Sequence, residues 1–240
     1  MSILALNMIA QAKAEGWKSL DLGLTGIVGA VPEELGNLTE LEDLILSDAW
    51  PVIEEGQLAE RRSKNPGGGN NIVALPAKMP PNLRSLQASY TGIQDLKPLA
   101  RCPQLRILKL NQTPVEELSD LEGLHALEVV ELSLSKVTDL TIVAQWPRLV
   151  HLHCSMTKVA DLKPLQGANN LEQLYLSGCP VLSLEHIGKL SKLGNLDLSS
   201  TQITDLSPLE GLIHLHSLNL SSTQCTTDLQ AIASLEGLLT

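Results

Sequence analysis

Leu196-Asp197-Leu198-Ser199-Ser200-Thr201-Gln202-Ile203-Thr204-Asp205-Leu206-Ser207-Pro208-Leu209 is the stretch that decides the fold. Its opening alternates apolar and polar residues as a strand does, with Leu196 and Leu198 on one side and Asp197 and Ser199 on the other. Its second half, with Ile203 as a plug and then an aspartate before Leu206, Pro208 and Leu209, reads as a tight return arm. The pattern L-x-x-L-x-L starts at Asn82, Gln104, Ala126, Arg148, Asn170, Lys192 and His214, seven starts spaced by 22 residues. A unit of that length cannot bury its own apolar side and is stable only when stacked on its neighbours. The period therefore predicts an α/β solenoid, right-handed, with a curved parallel sheet on a concave face and short helical or 3-10 turns on a convex face.

Three inward slots per unit are filled by Leu83-Leu86-Ala88, Leu105-Leu108-Leu110, Leu127-Val130-Leu132, Leu149-Leu152-Cys154 and their successors. A turn slot follows, holding Thr91, Thr113, Ser135, Thr157, Cys179, Thr201 and Thr223. Short hydrogen-bonding side chains there suit a ladder that satisfies backbone groups at each bend. Asp95, Asp139, Asp161 and Asp205 each precede a leucine, and Pro98, Pro164 and Pro208 follow three of them by three residues. That order suits an aspartate cap opening a short helical turn whose first turn tolerates proline. Local capping explains these carboxylates without a role as general acids.

The beginning of the chain departs from the period. Residues 1–15 put Leu4, Ala5, Met8, Ile9 and Ala12 on one helical face, as a helix capping the end of a stack requires. Trp17-Leu20-Leu22 and Leu41-Leu44-Leu46 open two longer units, with Gly29 to Pro32 in the return arm between them. The period then fails over 47–81, an irregular insertion carrying Trp50, Glu54-Glu55, Arg61-Arg62-Ser63-Lys64 and Gly67-Gly68-Gly69-Asn70-Asn71. The glycine run reads as a flexible surface loop. It lacks the G-x-x-x-x-G-K-S/T order that seats a nucleotide, so no phosphate loop is assigned. The expected organisation is a capping helix over 1–15 and a solenoid of about nine units over 16–240. Gly237-Leu238-Leu239-Thr240 opens a further register with no polar cap, which predicts a neighbouring domain or partner at that edge.

Composition narrows the function. A net charge of -10 argues against nucleic acid and anionic membranes as partners. No run of 18 apolar residues is present to span a bilayer, and the N-terminal helix lacks the basic start of a signal peptide. Cys102, Cys154, Cys179 and Cys225 lie in unrelated slots and read as small buried hydrophobes, which fits a reducing cytoplasm.

The outward positions between the leucines supply the candidate site. Most are Ser, Asn or Gln, but Ile107, Val129 and His151 share one slot in consecutive units, and Lys109, Glu131, His153, Tyr175 and Asp197 share the next. With Tyr90 and Met156 at the strand ends they form a candidate anchor patch, because aromatic anchors in a polar rim concentrate interface energy. His151, His153 and Glu131 do not complete a metal ligand set, and serines on a flat sheet lack the turn and oxyanion donors of a hydrolase. No metal, cofactor or catalytic residue is expected, and the chain is read as non-enzymatic.

The stretch quoted first resembles bacterial leucine-rich repeats of the internalin-like 22-residue type, from Asn82 to the end. The N-terminal part, with Ser19-Leu20-Asp21-Leu22, Val31-Pro32-Glu33-Glu34-Leu35, Leu44-Ile45-Leu46-Ser47 and Asn70-Asn71 before Leu75-Pro76, is similar to the leucine-rich regions of bacterial Roco-type multidomain proteins. The first resemblance implies a module that binds a protein or peptide on its concave face. The second implies a sensing or regulatory arm beside an effector domain C-terminal to this stretch; no GTP-binding motif is present, so no catalytic residue carries over. A secreted adhesin of internalin type is disfavoured by Cys154 in the core and by the N-terminal helix.

Overall fold

A computed structural model describes residues 2–54, 57–225, 229–233, 235, 237 and 238, with 51–54, 57–59, 229 and 230 described by backbone alone. The expected register over Gly237-Leu238-Leu239-Thr240 thus lies partly outside the described residues, as does Glu55 of the insertion. The chain divides into two compact units, Met1–Val115 and Glu116–Thr240.

In the first unit the expected capping helix is α1, Ile3–Glu15. Ser2 caps it by accepting the Ala5 N–H at 3.2 Å, its hydroxyl donates to the Thr25 carbonyl, and Gly16 ends it at φ 65°. Of the predicted apolar face, Ala5, Ile9 and Ala12 are buried and Leu4 and Met8 are half-buried. Beneath it lies a parallel sheet of β1 (Ser19–Asp21), β3 (Asp43–Ile45), β7 (Ser85–Gln87) and β8 (Ile107–Lys109), reached in that order. Leu20, Leu44, Leu86 and Leu108 stand in register across it, each shut from solvent. A second parallel pair, β2 (Val28–Ala30) with β6 (Asn71–Ala74), joins the return arms of the first two repeats.

The insertion proves to be an addition to one repeat. β3 pairs directly with β7, so no repeat is lost between them. The extra residues leave as an antiparallel hairpin, β4 (Ala49–Glu54) with β5 (Gln57–Arg62), closed at its base where Ser63 N–H donates to the Asp48 carbonyl at 2.9 Å. The glycine run, expected to be a loose loop, is pinned instead. Asp48 accepts the N–H of Leu24 at 2.6 Å and of Asn70 at 2.8 Å, while the Asn70 amide donates to the carbonyls of Leu22 and Leu46 at 2.8 and 3.2 Å. Gly67 lies so close to the Leu24 carbonyl that a Cβ there would stand 2.4 Å from it. Buried backbone groups must find partners, and in this repeat Asp48, Asn65 and Asn70 supply them.

The second unit repeats one design. β9 (Val129–Glu131), β10 (His151–His153), β11 (Gln173–Tyr175), β12 (Asn195–Asp197) and β13 (Ser217–Asn219) are parallel and successive. Return arms carry short 3-10 turns at Thr141–Gln145, Lys163–Gly167 and Ser207–Leu209, while the arm between β11 and β12 bends through plain turns at 185–189. The predicted turn ladder is present: the hydroxyls of Thr157, Thr201 and Thr223 donate to the carbonyls of Cys154, Leu198 and Leu220 at 2.7, 2.6 and 2.7 Å. Cys179 departs from the pattern: its thiol donates at 3.1 Å to the Cys154 carbonyl of the preceding repeat, the same carbonyl that takes the Thr157 hydroxyl. The aspartates stand one residue farther out than an N-cap. Asp139, Asp161 and Asp205 accept the N–H two residues on at 2.7–2.8 Å, and a leucine occupies the cap position itself. α2 (Leu229–Ala233) is the last described element of regular structure.

The strands of the two parallel rows of repeats are three residues long, and three residues past the end of most of them the backbone turns left-handed. Tyr90 and Gln112 in the first unit, and Leu134, Met156, Ser200 and Ser222 in the second, have φ of 54–61°. Glycine meets the same demand at Gly178, φ 69°. For bulky side chains this conformation is unfavourable, so the stack imposes it through hydrogen bonds to the next repeat, such as Leu134 N–H to the Ser155 carbonyl at 2.9 Å.

Candidate functional site

The sheet face turned away from the leucines carries every candidate residue within a strand. In the first unit these are Ile107 and Lys109, both half-buried, in register with Ser85 and Gln87. Tyr90 stands at a strand end, 52% exposed. Gln87 is almost wholly buried, accepts the Ser89 hydroxyl at 3.2 Å, and has no partner for its amide nitrogen among the described residues.

The second unit gathers the remainder. Registers place His151 between Val129 and Gln173, and His153 between Glu131 and Tyr175, with Asp197 beside Tyr175. The rings close on one another: centroids lie 6.3 Å apart for His151 and His153, 5.4 Å for His151 and Tyr175, and 5.0 Å for His153 and Tyr175. These are tilted or edge contacts of the kind aromatic quadrupoles favour. Gln173 anchors the cluster through its amide oxygen, 2.9 Å from His151 Nδ1 and 3.4 Å from the Tyr175 hydroxyl. His153 Nε2 meets the Ser155 hydroxyl at 3.1 Å. Burial, and after it the negative charge of Asp197, raises the Tyr175 pKa above the usual phenol value. The phenol is therefore the neutral form at physiological pH.

The outward side chains are less open than alternation alone suggests. Val129, His151, His153, Tyr175 and Asp197 are half-buried and Glu131 is buried, because neighbouring strands bring the side chains of one row into contact. The exposed part is the rim, where Met156 is 58% and Leu134 53% exposed. The sulfur of Met156 lies over Gly178, 2.3 Å from where a Cβ would stand, so glycine at that position seats the thioether.

Two residues escaped the sequence reading. Gln173 looked like one more polar outward residue, and nothing in its spacing reveals that it holds both His151 and Tyr175. Leu134 fills the same column as Met156 and Tyr90, so its position, though not its side-chain type, carried a usable signal. Among the described residues no group of three or more His, Cys, Asp or Glu is placed to hold a metal ion. No helix among them is long and apolar enough to cross a membrane. The cores hold reduced cysteines, with burial pushing the Cys102 thiol up to about 11 and Cys154 well above the usual range. Neither thiol ionises at neutral pH, which removes them as nucleophiles.

The family model for leucine-rich repeats in two copies matches residues 81–124 and 191–234. No curated protein matches the sequence significantly. Among solved structures, internalin C2 of Listeria monocytogenes aligns over 99% of this chain and 90% of its own, at 23% identity and a TM-score of 0.72. A second Listeria monocytogenes internalin aligns over 96% and 69%, at 21% identity and a TM-score of 0.73. The Arabidopsis receptor kinase HAESA, solved with the peptide hormone IDA and the co-receptor SERK1, aligns over 94% of this chain and 37% of its own, at 19% identity and a TM-score of 0.72. At such identities the likeness concerns the fold, and with the repeats themselves it supports one statement: both units of this chain are leucine-rich repeat solenoids.

Proposed function

We propose that the chain is a non-catalytic protein-binding module whose outer sheet face takes a protein or peptide segment, with His151, His153, Tyr175 and Asp197 as the centre and Met156 on the rim. The observation that carries this reading is the ring cluster of the second unit. Three rings lie within 5.0–6.3 Å of one another on a face otherwise lined mostly by serine, asparagine and glutamine. Half-buried aromatics bring large contact area with little side-chain entropy left to lose, which is the profile of an interface anchor. A short parallel sheet with outward side chains at fixed spacing suits an extended ligand, and the receptor HAESA of like fold was solved with a peptide hormone. In the second unit Val129 and Glu131 are also assigned to ligand contact, and in the first unit, taken by itself, Ile107 and Lys109 on its outward face and Tyr90 at a strand end are assigned to the same role.

Capture from lysate tests the assignment. The parent chain and a His153→Ala, Tyr175→Ala variant are compared as baits, with folding checked by circular dichroism. A partner retained by the parent and lost by the folded variant supports the reading, and equal retention contradicts it.

A further inference from the structure

The ring cluster lies in a row that is flanked by carboxylates, and that row restricts what it accepts. Glu131, His153, Tyr175 and Asp197 occupy consecutive strands in direct register. At a strand spacing of about 4.8 Å, each neighbours the next. Asp197 accepts the Ser199 N–H at 2.9 Å and the Ser199 hydroxyl at 2.7 Å, both on Oδ1. Among the described residues no donor reaches its Oδ2. The charge is felt at the ring, since Asp197 contributes to the raised pKa of Tyr175. The outward positions of β9 to β13 include no lysine or arginine, and the chain as a whole carries a net charge of -10.

These observations describe an acceptor without a donor, beside ring faces whose quadrupoles are negative. An anionic group would be repelled by Asp197. An apolar group would take Oδ2 of the Asp197 carboxylate out of water with no donor to replace it, which is unfavourable. A planar cation with several donors satisfies both features at once, because a guanidinium stacks on a ring through its plane and donates to a carboxylate through its edge. Gln173 keeps the aromatic wall in place by holding His151 Nδ1 at 2.9 Å. We propose that Tyr175, His153 and Asp197 form a subsite for an arginine side chain of the bound segment, a claim that rests on the peptide-binding role of this face.

The test uses the whole chain and a phage-displayed dodecapeptide library. Selected peptides are resynthesised with each arginine replaced by citrulline, which keeps the shape and removes the charge. The subsite predicts arginine enrichment and an affinity loss of about tenfold or more on replacement of one arginine. Asp197→Asn, which keeps the acceptor for Ser199, reproduces that loss for the arginine peptide and leaves the citrulline peptide unchanged. Tyr175→Phe retains binding, whereas Tyr175→Ala abolishes it. Peptides that depend on Tyr175 but show no arginine preference, or bind equally as citrulline forms, overturn the subsite and leave the binding face standing. If no selected peptide responds to Tyr175→Ala, the binding face itself is contradicted.

Discussion

The smallest recurring device in this chain is one hydroxyl. Thr25, Thr91, Thr113, Thr157, Thr201 and Thr223 each donate to the carbonyl three residues earlier, at 2.6–2.7 Å. Thr201 is 3% exposed, and removing its hydroxyl leaves the buried Leu198 carbonyl with the longer bond from the Thr201 N–H, 3.3 Å, as its partner. Thr201→Val should destabilise the chain by about 0.5–1.5 kcal/mol in urea unfolding, and an unchanged midpoint would show that the ladder contributes nothing. Beside this column runs the left-handed one, where Leu134 sits at φ 59° and 53% exposed. A large apolar side chain gains little from burial there and carries the left-handed strain. Leu134→Asn should therefore raise stability by about 0.5–1 kcal/mol, read by the same unfolding curve; a loss would mean that Leu134 makes a stabilising contact. The hydroxyl column was legible as a 22-residue periodicity, whereas the left-handed column, with Tyr90, Gln112, Leu134, Met156, Gly178 and Ser200, shares no side-chain type that spacing could reveal. The Gln173 hub was not, because a side chain's choice among hydrogen-bond partners leaves no trace in spacing.

At the scale of elements, the return arms open on aspartates. Hydrogen bonds from the Thr141 hydroxyl and N–H hold the Asp139 pKa below the usual carboxylate value, and Ser207 does the same for Asp205. A carboxyl depressed on folding adds stability above its unfolded value, and that contribution is lost as pH falls through the folded one. Melting temperature should thus decline on acidification, and Asp139→Asn should flatten that acid limb by lowering the neutral plateau toward the acid value, with the stability at low pH little changed. An acid limb identical to the parent's would contradict the assignment. The hairpin is the element that sequence did not foretell. Alternation in Ala49–Glu54 was masked by Trp50-Pro51, and the break in period announced an insertion without its form. Because Ser63 N–H meets the Asp48 carbonyl at 2.9 Å, the hairpin stands on closed ends. Excising 49–62 should keep the parent's circular dichroism spectrum apart from the lost hairpin, with a stability change under about 1 kcal/mol. In contrast, Asn70→Ala removes donors to two carbonyls and an acceptor for Ile27 N–H, and should destabilise by about 2–4 kcal/mol. Excision more damaging than Asn70→Ala would show the hairpin to be structural.

Across the whole molecule, fold and candidate face differ in how they are written. The fold depends on leucines such as Leu86, Leu152 and Leu196, whose only requirement is an apolar side chain recurring at a fixed interval. Such a signal survives any change of surface. The face depends on a few residues that occur once, His151, His153 and Tyr175 among them, whose meaning comes from the rings meeting across strands. Alternation placed them on the outer side and could not show how far they bury one another. The proposed function requires that ligand contact the chain on that face. Hydroxyl-radical footprinting on the captured partner or a selected peptide reads it directly, since Met156, Tyr175 and the histidines are readily oxidised and Trp50 on the hairpin serves as an internal comparison. The account predicts that ligand lowers oxidation at Met156, His153 and Tyr175 while Trp50 stays unchanged; protection at Trp50 with Met156 and Tyr175 unaffected would contradict it.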